Sequence, residues 1–182
     1  WDMANETASA GDKIDKTSQK IGISAEAYQE WAYVFERSGA NVDNLQAGMK
    51  TLSGVISDAA TGSASAAEKL DAVGLSIEDL NGLSQEQQLD VVIAALQEMG
   101  SGAERTSAAT DLLGKSAVDM AAVLNMTAED TAALKKEAQD YGMVMSNEAV
   151  AASAAFEDSL SRLNNTFGGL KNRITSDMLP GL

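Results

Sequence analysis

The chain has 182 residues and a net charge of −14, and because only 4% of its residues are aromatic its interior must consist mostly of aliphatic side chains. It contains one proline, no histidine and no cysteine, so its own side chains build no Cys/His zinc site, histidine-dependent triad or cysteine nucleophile. Its 13 basic residues are scattered among 27 acidic ones, which argues against direct binding of nucleic acid.

Helix-forming patterns follow one another along the chain, whereas strand-like alternation is absent. Residues 1–22 are polar and predict an N-terminal helix or linker that buries little. The further predicted helices are Ala25–Ser38, Val42–Asp58, Ala66–Val73, one turn after Ser76, Gln85–Met99, a helix from Glu104 with an interruption at Gly114, and Ala128–Tyr141.

Four aromatic residues lie close together in the predicted helix Ala25–Ser38. Trp31 and Phe35 share one face of that helix. Because aromatic side chains each bury a large area, these two predict the anchor of a helical core. Tyr28 and Tyr33 lie off that face, so they are either exposed or in contact with a neighbouring copy.

Three predicted helix starts match the capping box, in which a Ser side chain and a Glu or Gln three positions later satisfy free backbone N–H groups. These starts are at Ser65, Ser84 and Ser101. Glycines such as Gly39 and Gly142 stand where helices should end, because glycine accepts the left-handed terminal conformation.

The last predicted helix, from about Asn147, is roughly 45 Å long at 1.5 Å per residue. Its apolar side chains repeat at steps of four and three, the heptad spacing of a coiled coil. This heptad seam consists of Phe156, Leu160, Leu163, Phe167, Leu170 and Ile174. Gly168 and Gly169 interrupt it, at a cost of about 1 kcal/mol each relative to Ala. Two interpretations stay open: the seam packs along its own domain, or it also pairs with other copies.

These elements predict an all-α fold, a multi-helix bundle with a long C-terminal amphipathic helix and no sheet. Residues 1–22 form the N-terminal helix or linker, 23–142 a compact helical body, and 143–182 a long heptad-patterned helix that leads into the rest of a parent chain. Because neither Trp1 nor Leu182 marks an evident natural start or stop, we expect a fragment of something longer.

No motif in the chain predicts catalysis. There is no Gly-x-Ser-x-Gly elbow, Ser-x-x-Lys nucleophile or P-loop. Adjacent acids point about 100° apart on a helix, so they do not converge on one substrate, and near a helix start they favour its positive end. The acid pairs are Glu78-Asp79, Glu129-Asp130 and Glu157-Asp158. We expect no enzyme, no cofactor and no metal site.

Three sequence segments, called phrases below, and a C-terminal ending follow one another in an order and spacing that can be compared with known families. The first runs from Gly11 through Gly22-Ile23-Ser24-Ala25-Glu26-Ala27-Tyr28-Gln29-Glu30-Trp31 to Gly39. The second is Leu75-Ser76-Ile77-Glu78-Asp79-Leu80, followed by Ile93-Ala94-Ala95-Leu96. The third runs from Ala103-Glu104-Arg105-Thr106 to Asp111-Leu112-Leu113-Gly114-Lys115-Ser116. The basic, amphipathic ending runs from Leu160-Ser161-Arg162-Leu163 to Leu179-Pro180-Gly181-Leu182.

In order and spacing these phrases resemble tape measure proteins of long-tailed phages and related prophages, over nearly the whole chain. Leu113 stands where an aromatic residue is frequent in that family. The resemblance implies a virion protein that lies in the tail lumen, sets tail length during assembly in the host cytoplasm, and leaves ahead of the DNA. The implied partners are other copies of the chain and tail tube or tail assembly proteins, without direct contact to nucleic acid. Membrane contact is expected only through parts of the parent chain outside these residues, and the family has no catalytic residues to carry over.

A second hypothesis for the function belongs to a different class of protein. A helical protein-binding module, such as a secreted effector or adaptor, would present a groove along the last helix. An exposed apolar groove along the heptad seam of a monomer would favour this alternative.

Overall fold

A computed structural model describes the backbone of residues 2–100 and 102–178 and the side chains of residues 6–100 and 102–166. Over these residues the predicted all-α fold is confirmed, with eleven helices and no strand. The helices are α1 (Asp2–Ile21), α2 (Ala25–Ser38), α3 (Asn44–Ala60), α4 (Ala64–Asp71), α5 (Ile77–Leu80), α6 (Gln85–Glu98), α7 (Ala103–Leu113), α8 (Ser116–Asp119), α9 (Ala121–Leu124), α10 (Ala128–Asp140) and α11 (Asn147–Met178).

The contacts divide the chain into two compact units. The larger unit is Thr17–Met145, and the smaller combines Trp1–Lys16 with Ser146–Leu182. Within the predicted segment 1–22, Asp2–Ile21 form the helix α1. The predicted boundaries at residues 22 and 142 stay a prediction.

Helix α3 is central to the larger unit, where it packs against α4, α5, α6, α7 and α8. Its buried residues are spaced by one or three positions, so a single stripe of the helix faces the core. The stripe consists of Leu45, Gly48, Met49, Leu52, Val55, Ile56 and Ala59. Each fully buried Leu contributes about 1.5–3 kcal/mol relative to an exposed one, so this helix holds the unit together mainly by aliphatic packing.

Helix α2 supplies the two largest fully buried side chains of the core. Trp31 is 1% exposed and Phe35 0%. Their ring centroids lie 6.3 Å apart at an interplanar angle of 75°, the edge-to-face arrangement that aromatic pairs prefer. The prediction that these two residues anchor the core is confirmed, and the helix packs chiefly against α10.

Side-chain caps fix the starts of α2 and α6. The Ser24 hydroxyl accepts a hydrogen bond from the Ala27 N–H at 3.1 Å, and the Ser24 N–H donates to Oε2 of Glu86 at 2.8 Å. The capping box predicted at Ser84 is confirmed, since Gln87 N–H donates to Ser84 Oγ at 3.3 Å and Ser84 N–H donates to Gln87 Oε1 at 3.0 Å. The bond from Ser24 to Glu86 also joins the starts of the two helices.

The capping box predicted at Ser65 is wrong, because Ser65 lies within α4. Ser63, which follows the turn at Gly62, caps the helix, and its hydroxyl accepts from the Ala66 N–H at 3.4 Å. The box predicted at Ser101 falls on a residue outside the described ones. A further box at Ser76 was not predicted.

The helix interruption predicted at Gly114 is confirmed and has a steric reason. Gly114 has a φ of 69° and ends α7. A Cβ placed there would lie 2.9 Å from the Thr51 hydroxyl of α3, so a side chain would be both strained and crowded. Just beyond, the buried Ser116 hydroxyl donates to the Leu113 carbonyl at 2.6 Å. This turn therefore brings α7 and α8 against α3.

The end of the larger unit is fastened to α2 by one side chain. The Gln29 amide donates from Nε2 to the Met145 carbonyl at 2.9 Å, and its Oε1 accepts from the Met145 N–H at 2.9 Å. Both backbone groups of Met145 are thus satisfied by Gln29, 116 positions earlier in the chain. The loop after α10 is held in place without secondary structure of its own.

In the smaller unit, α1 and α11 approach each other through small residues. A Cβ placed on Gly11 would lie 2.3 Å from Cβ of Ser153, so the contact requires glycine. Ala8 and Val150 are also buried. The hydrogen bond from Lys16 to Asp12 raises the pKa of Lys16, and the charges of Asp158 and Glu157 raise it further. Since later residues of α1 meet later residues of α11, the two helices run in the same direction.

Candidate interaction site

A cleft in the larger unit opens between α2, α6 and α10. It has a volume of about 210 Å³. Small side chains on α6 and α10, Ala94, Ala128 and Ala132, leave the space open. The cleft, called the Trp31 cleft below, is lined by Trp31, Asp90, Ile93, Ala94, Gln97, Ala128, Thr131, Ala132 and Lys135.

One end of the Trp31 cleft carries a charged pair on an aromatic ring. The Trp31 indole donates from Nε1 to Oδ1 of Asp90 at 3.0 Å. Lys135 donates from Nζ to the same oxygen at 2.5 Å and lies 4.1 Å from the centre of the Trp31 ring. The Asp90 side chain is 49% exposed and that of Lys135 only 15%. The carboxylate is therefore held in one orientation while it remains accessible to solvent.

Gln97 lines the same cleft two helical turns from Asp90. Its Nε2 donates to the Val123 carbonyl at 2.9 Å and to the Thr131 hydroxyl at 2.9 Å. The bond to a carbonyl fixes the amide orientation, because only the nitrogen can donate. Gln97 Oε1 is buried and accepts no hydrogen bond from the described residues. Such an acceptor costs about 1–3 kcal/mol relative to a satisfied one.

Sequence reasoning singled out Trp31 as a core residue and missed its polar partners. Asp90 lies 59 positions from Trp31, and Lys135 another 45 positions further. The one signal of this site in the sequence is local. Asp90 and Gln97 stand seven residues apart beside the apolar stripe of α6, which places them on one face of the helix. That signal does not identify the ring or the lysine that complete the cleft.

The predicted heptad seam lies on α11, whose 32 residues span about 48 Å at 1.5 Å per residue. Phe156 and Leu163 are 45% and 52% exposed, and Leu160 is half-buried. The side chains of Phe167, Leu170 and Ile174 lie outside the described residues. Association through the seam therefore stays a prediction, resting on two exposed apolar side chains.

The two tyrosines left open by the sequence have partners within the larger unit. Tyr28 is half-buried against the core, and this burial, with the negative charge of Asp43, raises its pKa. The Tyr33 hydroxyl donates to Oε1 of Glu137 at 2.5 Å, and this bond raises the pKa of Tyr33. The hydroxyl of Tyr33 is thus used inside the unit.

The adjacent acids have structural positions. Asp79 accepts from the Ser76 N–H at 2.8 Å and from the Ser76 hydroxyl at 2.7 Å, and these bonds lower its pKa. Asp130 in α10 accepts from the Thr127 hydroxyl at 2.8 Å and donates its own N–H to that oxygen at 3.0 Å. Both acids therefore stabilise the first turn of a helix.

Within the described part of the chain, no group of three or more acids is placed to hold a metal ion. Nor does any helix in that part combine the length and apolar character needed to cross a bilayer. Comparison of the chain with protein-family models, with curated proteins and with solved structures found no match.

Proposed function

We propose that the chain is a structural segment of a phage tail tape measure protein, which lies in the tail lumen and sets tail length during assembly. The observation that carries this proposal is the resemblance of three phrases, within residues 11–39, 75–96 and 103–116, in their order and spacing. The segment would leave ahead of the DNA on infection. Its partners would be other copies and tail tube or tail assembly proteins.

The positions of the three phrases in the fold support a structural role. Trp31, Leu80 and Leu113, one from each phrase, are buried in the same apolar core. Ser24 and Ser76 cap helices at the starts of α2 and α5. The residues that carry the resemblance thus build the helical body, as expected of a pattern that encodes a fold rather than a reaction.

The charge of the chain supports the same proposal. With a net charge of −14, the segment repels the phosphate backbone of DNA. The chain has 27 acidic and 13 basic residues, so one-to-one pairing would leave an excess of 14 acids, 27 − 13. An acidic body would bind weakly to DNA that passes through the same lumen. Tight, salt-sensitive DNA binding by the isolated chain would contradict this part of the proposal.

Tail length tests the proposal directly. Residues 1–182 would be deleted in frame from the gene of the parent phage, and the tails measured by negative-stain electron microscopy. The expected result is a uniformly shorter tail, by up to roughly 270 Å if the segment is a continuous helix in the tail, and by less if it keeps its folded body. An in-frame duplication should lengthen the tail. Normal tails of unchanged length in both phages would refute the proposal.

The helical protein-binding module remains the alternative, because Phe156 and Leu163 are exposed on α11. Sedimentation of the chain separates the two hypotheses. Association that is lost in a Phe156→Asp, Leu163→Asp variant favours the tail protein. The matched control is Ser161→Asp, Asn165→Asp, which adds the same charge on the opposite side of the helix at exposed positions. A monomeric chain at all concentrations favours the binding module.

A further inference from the structure

We propose that the Trp31 cleft binds the guanidinium group of an arginine side chain on a partner protein. The cleft combines a half-exposed carboxylate with an aromatic ring that already lies against a cation. This inference holds whether or not the chain belongs to a phage tail, since it rests on the geometry of α2, α6 and α10 alone.

Asp90 is the primary contact. Both of its hydrogen bonds, from Trp31 and from Lys135, go to Oδ1. Among the described residues no donor bonds to Oδ2, so that oxygen is available to a ligand. A guanidinium presents its N–H groups as a planar fork that matches a carboxylate, and such charge-assisted bonds are about twice as strong as neutral ones. The bond from Trp31 holds the carboxylate in place for this contact.

The ring of Trp31 favours a cation at the same place. Lys135 Nζ lies 4.1 Å from the ring centre, within the range of a cation–π contact. Lysine is a point charge on a flexible stem, whereas a guanidinium both stacks on an aromatic face and binds a carboxylate through two parallel bonds. Lys135 therefore occupies the site in the free protein and withdraws when an arginine enters.

The remainder of the Trp31 cleft accepts the rest of the arginine residue. Ile93 and the three alanines offer an apolar surface for its methylene stem, and the volume of about 210 Å³ suits a single side chain. Gln97 lies seven residues along α6 from Asp90, roughly 10 Å away at 1.5 Å per residue. At that end of the cleft the Gln97 amide keeps its hydrogen bonds to Val123 and Thr131, so it bounds the space and does not contact the guanidinium.

The charge of the whole chain selects the kind of partner. A net charge of −14 attracts a protein with exposed arginines and raises the rate at which it arrives. A second copy of the chain carries the same negative charge, so its approach to this acidic cleft is disfavoured at low ionic strength. The fitting occupant is thus a basic surface or segment of a different protein.

A fluorescence titration tests the proposal on the full chain with Trp1→Phe, so that Trp31 is the single tryptophan. The probe is the blocked tripeptide acetyl-Gly-Arg-Gly-amide, compared with its lysine analogue at low salt. We expect a saturable change in Trp31 fluorescence, with the arginine peptide bound at least about tenfold more tightly, the ratio that one charge-assisted hydrogen bond supplies.

Three variants make the test specific. Asp90→Asn, which keeps an acceptor for Trp31, should weaken binding of the arginine peptide by at least about tenfold. Lys135→Met should strengthen it severalfold by removing the competing cation. Asp140→Asn removes an acid that pairs with Lys136 outside the cleft and should leave binding unchanged. Circular dichroism confirms that each variant is folded.

Two outcomes would overturn the proposal. One is the absence of a saturable response in the parent chain and in the folded Lys135→Met variant. The other is an equal loss of binding in Asp90→Asn and Asp140→Asn, which would indicate attraction to the acidic surface as a whole.

Discussion

Trp31 joins two environments in one side chain. Its ring packs against Phe35 in the core, whereas its indole N–H reaches Asp90 at the edge of the Trp31 cleft. In a chain with 4% aromatic residues, much of the core's cohesion depends on this pair. The same residue therefore links the stability of the larger unit to the orientation of the carboxylate.

Truncation of Phe35, the other ring of the pair, should strongly destabilise the larger unit. Phe35 is 0% exposed, so Phe35→Ala leaves a cavity and is expected to lower the free energy of unfolding by about 3–5 kcal/mol. Urea denaturation followed by circular dichroism measures the change. Tyr141→Ala, which truncates an aromatic that is 70% exposed, is the matched control and should stay within about 0.5 kcal/mol of the parent. Equal losses in the two variants would contradict the assignment of the core.

The cap of α5 should make stability depend on pH. Hydrogen bonds from Ser76 hold the pKa of Asp79 below its ordinary value of 3.8. Because the folded pKa is depressed, the contribution is fully present above 3.8 and is lost as the pH falls through the folded pKa. The parent should be more stable than Asp79→Ala at about pH 6, and the difference should shrink in strong acid. A difference that grows as the pH falls would be the opposite of this prediction.

At the scale of elements, helices follow from local pattern. Ala25–Ser38 and the start of α6 at Gln85 are predicted at the residues where they occur, because apolar periodicity and caps are local properties of the sequence. The cap of α4 was misplaced since Ser63 and Ser65 both offer a hydroxyl, and the turn at Gly62 decides between them. Local pattern does not say which helices touch.

The contact between α1 and α11 illustrates this limit. Nothing in the polar segment around Gly11 predicts a partner 142 positions later, yet the contact with Ser153 leaves no room for a Cβ. Ala8 and Gly11 therefore form a packing surface on α1 that the polar sequence around them does not indicate. Small residues let helices approach closely, and their signal in a sequence is weak.

Addition of one methyl group at Gly11 should test that contact. Gly11→Ala brings a Cβ to 2.3 Å from that of Ser153 and should destabilise the smaller unit by about 1–3 kcal/mol. Adding Ser153→Gly should restore most of the loss by removing the atoms that clash. Hydrogen exchange of the first turns of α11 measures the effect.

Gly54→Ala is the control for helix propensity. Gly54 is an exposed helical glycine with open space around it, so the substitution should stabilise the chain by up to about 1 kcal/mol. If Gly11→Ala stabilised the chain as Gly54→Ala does, the close contact between α1 and α11 would be absent in solution.

For the whole molecule, the excess of acidic residues is the main force that opposes folding beyond the loss of chain entropy. The net charge of −14 produces self-repulsion that opposes the folded state, and the three ion pairs among the described side chains offset little of it. Aliphatic packing around α3 must outweigh this repulsion. The balance should respond to ionic strength more than that of a neutral protein.

Added salt is therefore expected to stabilise the chain. Raising the concentration from about 0.02 M to about 0.3 M shortens the screening length and weakens repulsion among the acids, so the melting temperature should rise. Differential scanning calorimetry in sodium chloride and in potassium chloride separates screening from ion-specific binding. A lower melting temperature in both salts would mean that the ion pairs outweigh the repulsion.

At the scale of the whole molecule, part of the organisation can be predicted from the sequence and part cannot. The all-α class and the central role of Trp31 follow from composition and periodicity. The Trp31 cleft does not, because its charged pair connects α6 to α10 across 45 positions and its ring comes from α2. Such a site exists only once three helices have packed, so its residues carry no shared motif.

The Gln29 amide that holds both backbone groups of Met145 has a mechanical consequence. Any displacement of the Met145 backbone away from α2 would have to stretch both hydrogen bonds, because both end on the same Gln29 amide. The two bonds are therefore expected to break together, so that the loop after α10 separates from α2 in one step rather than residue by residue.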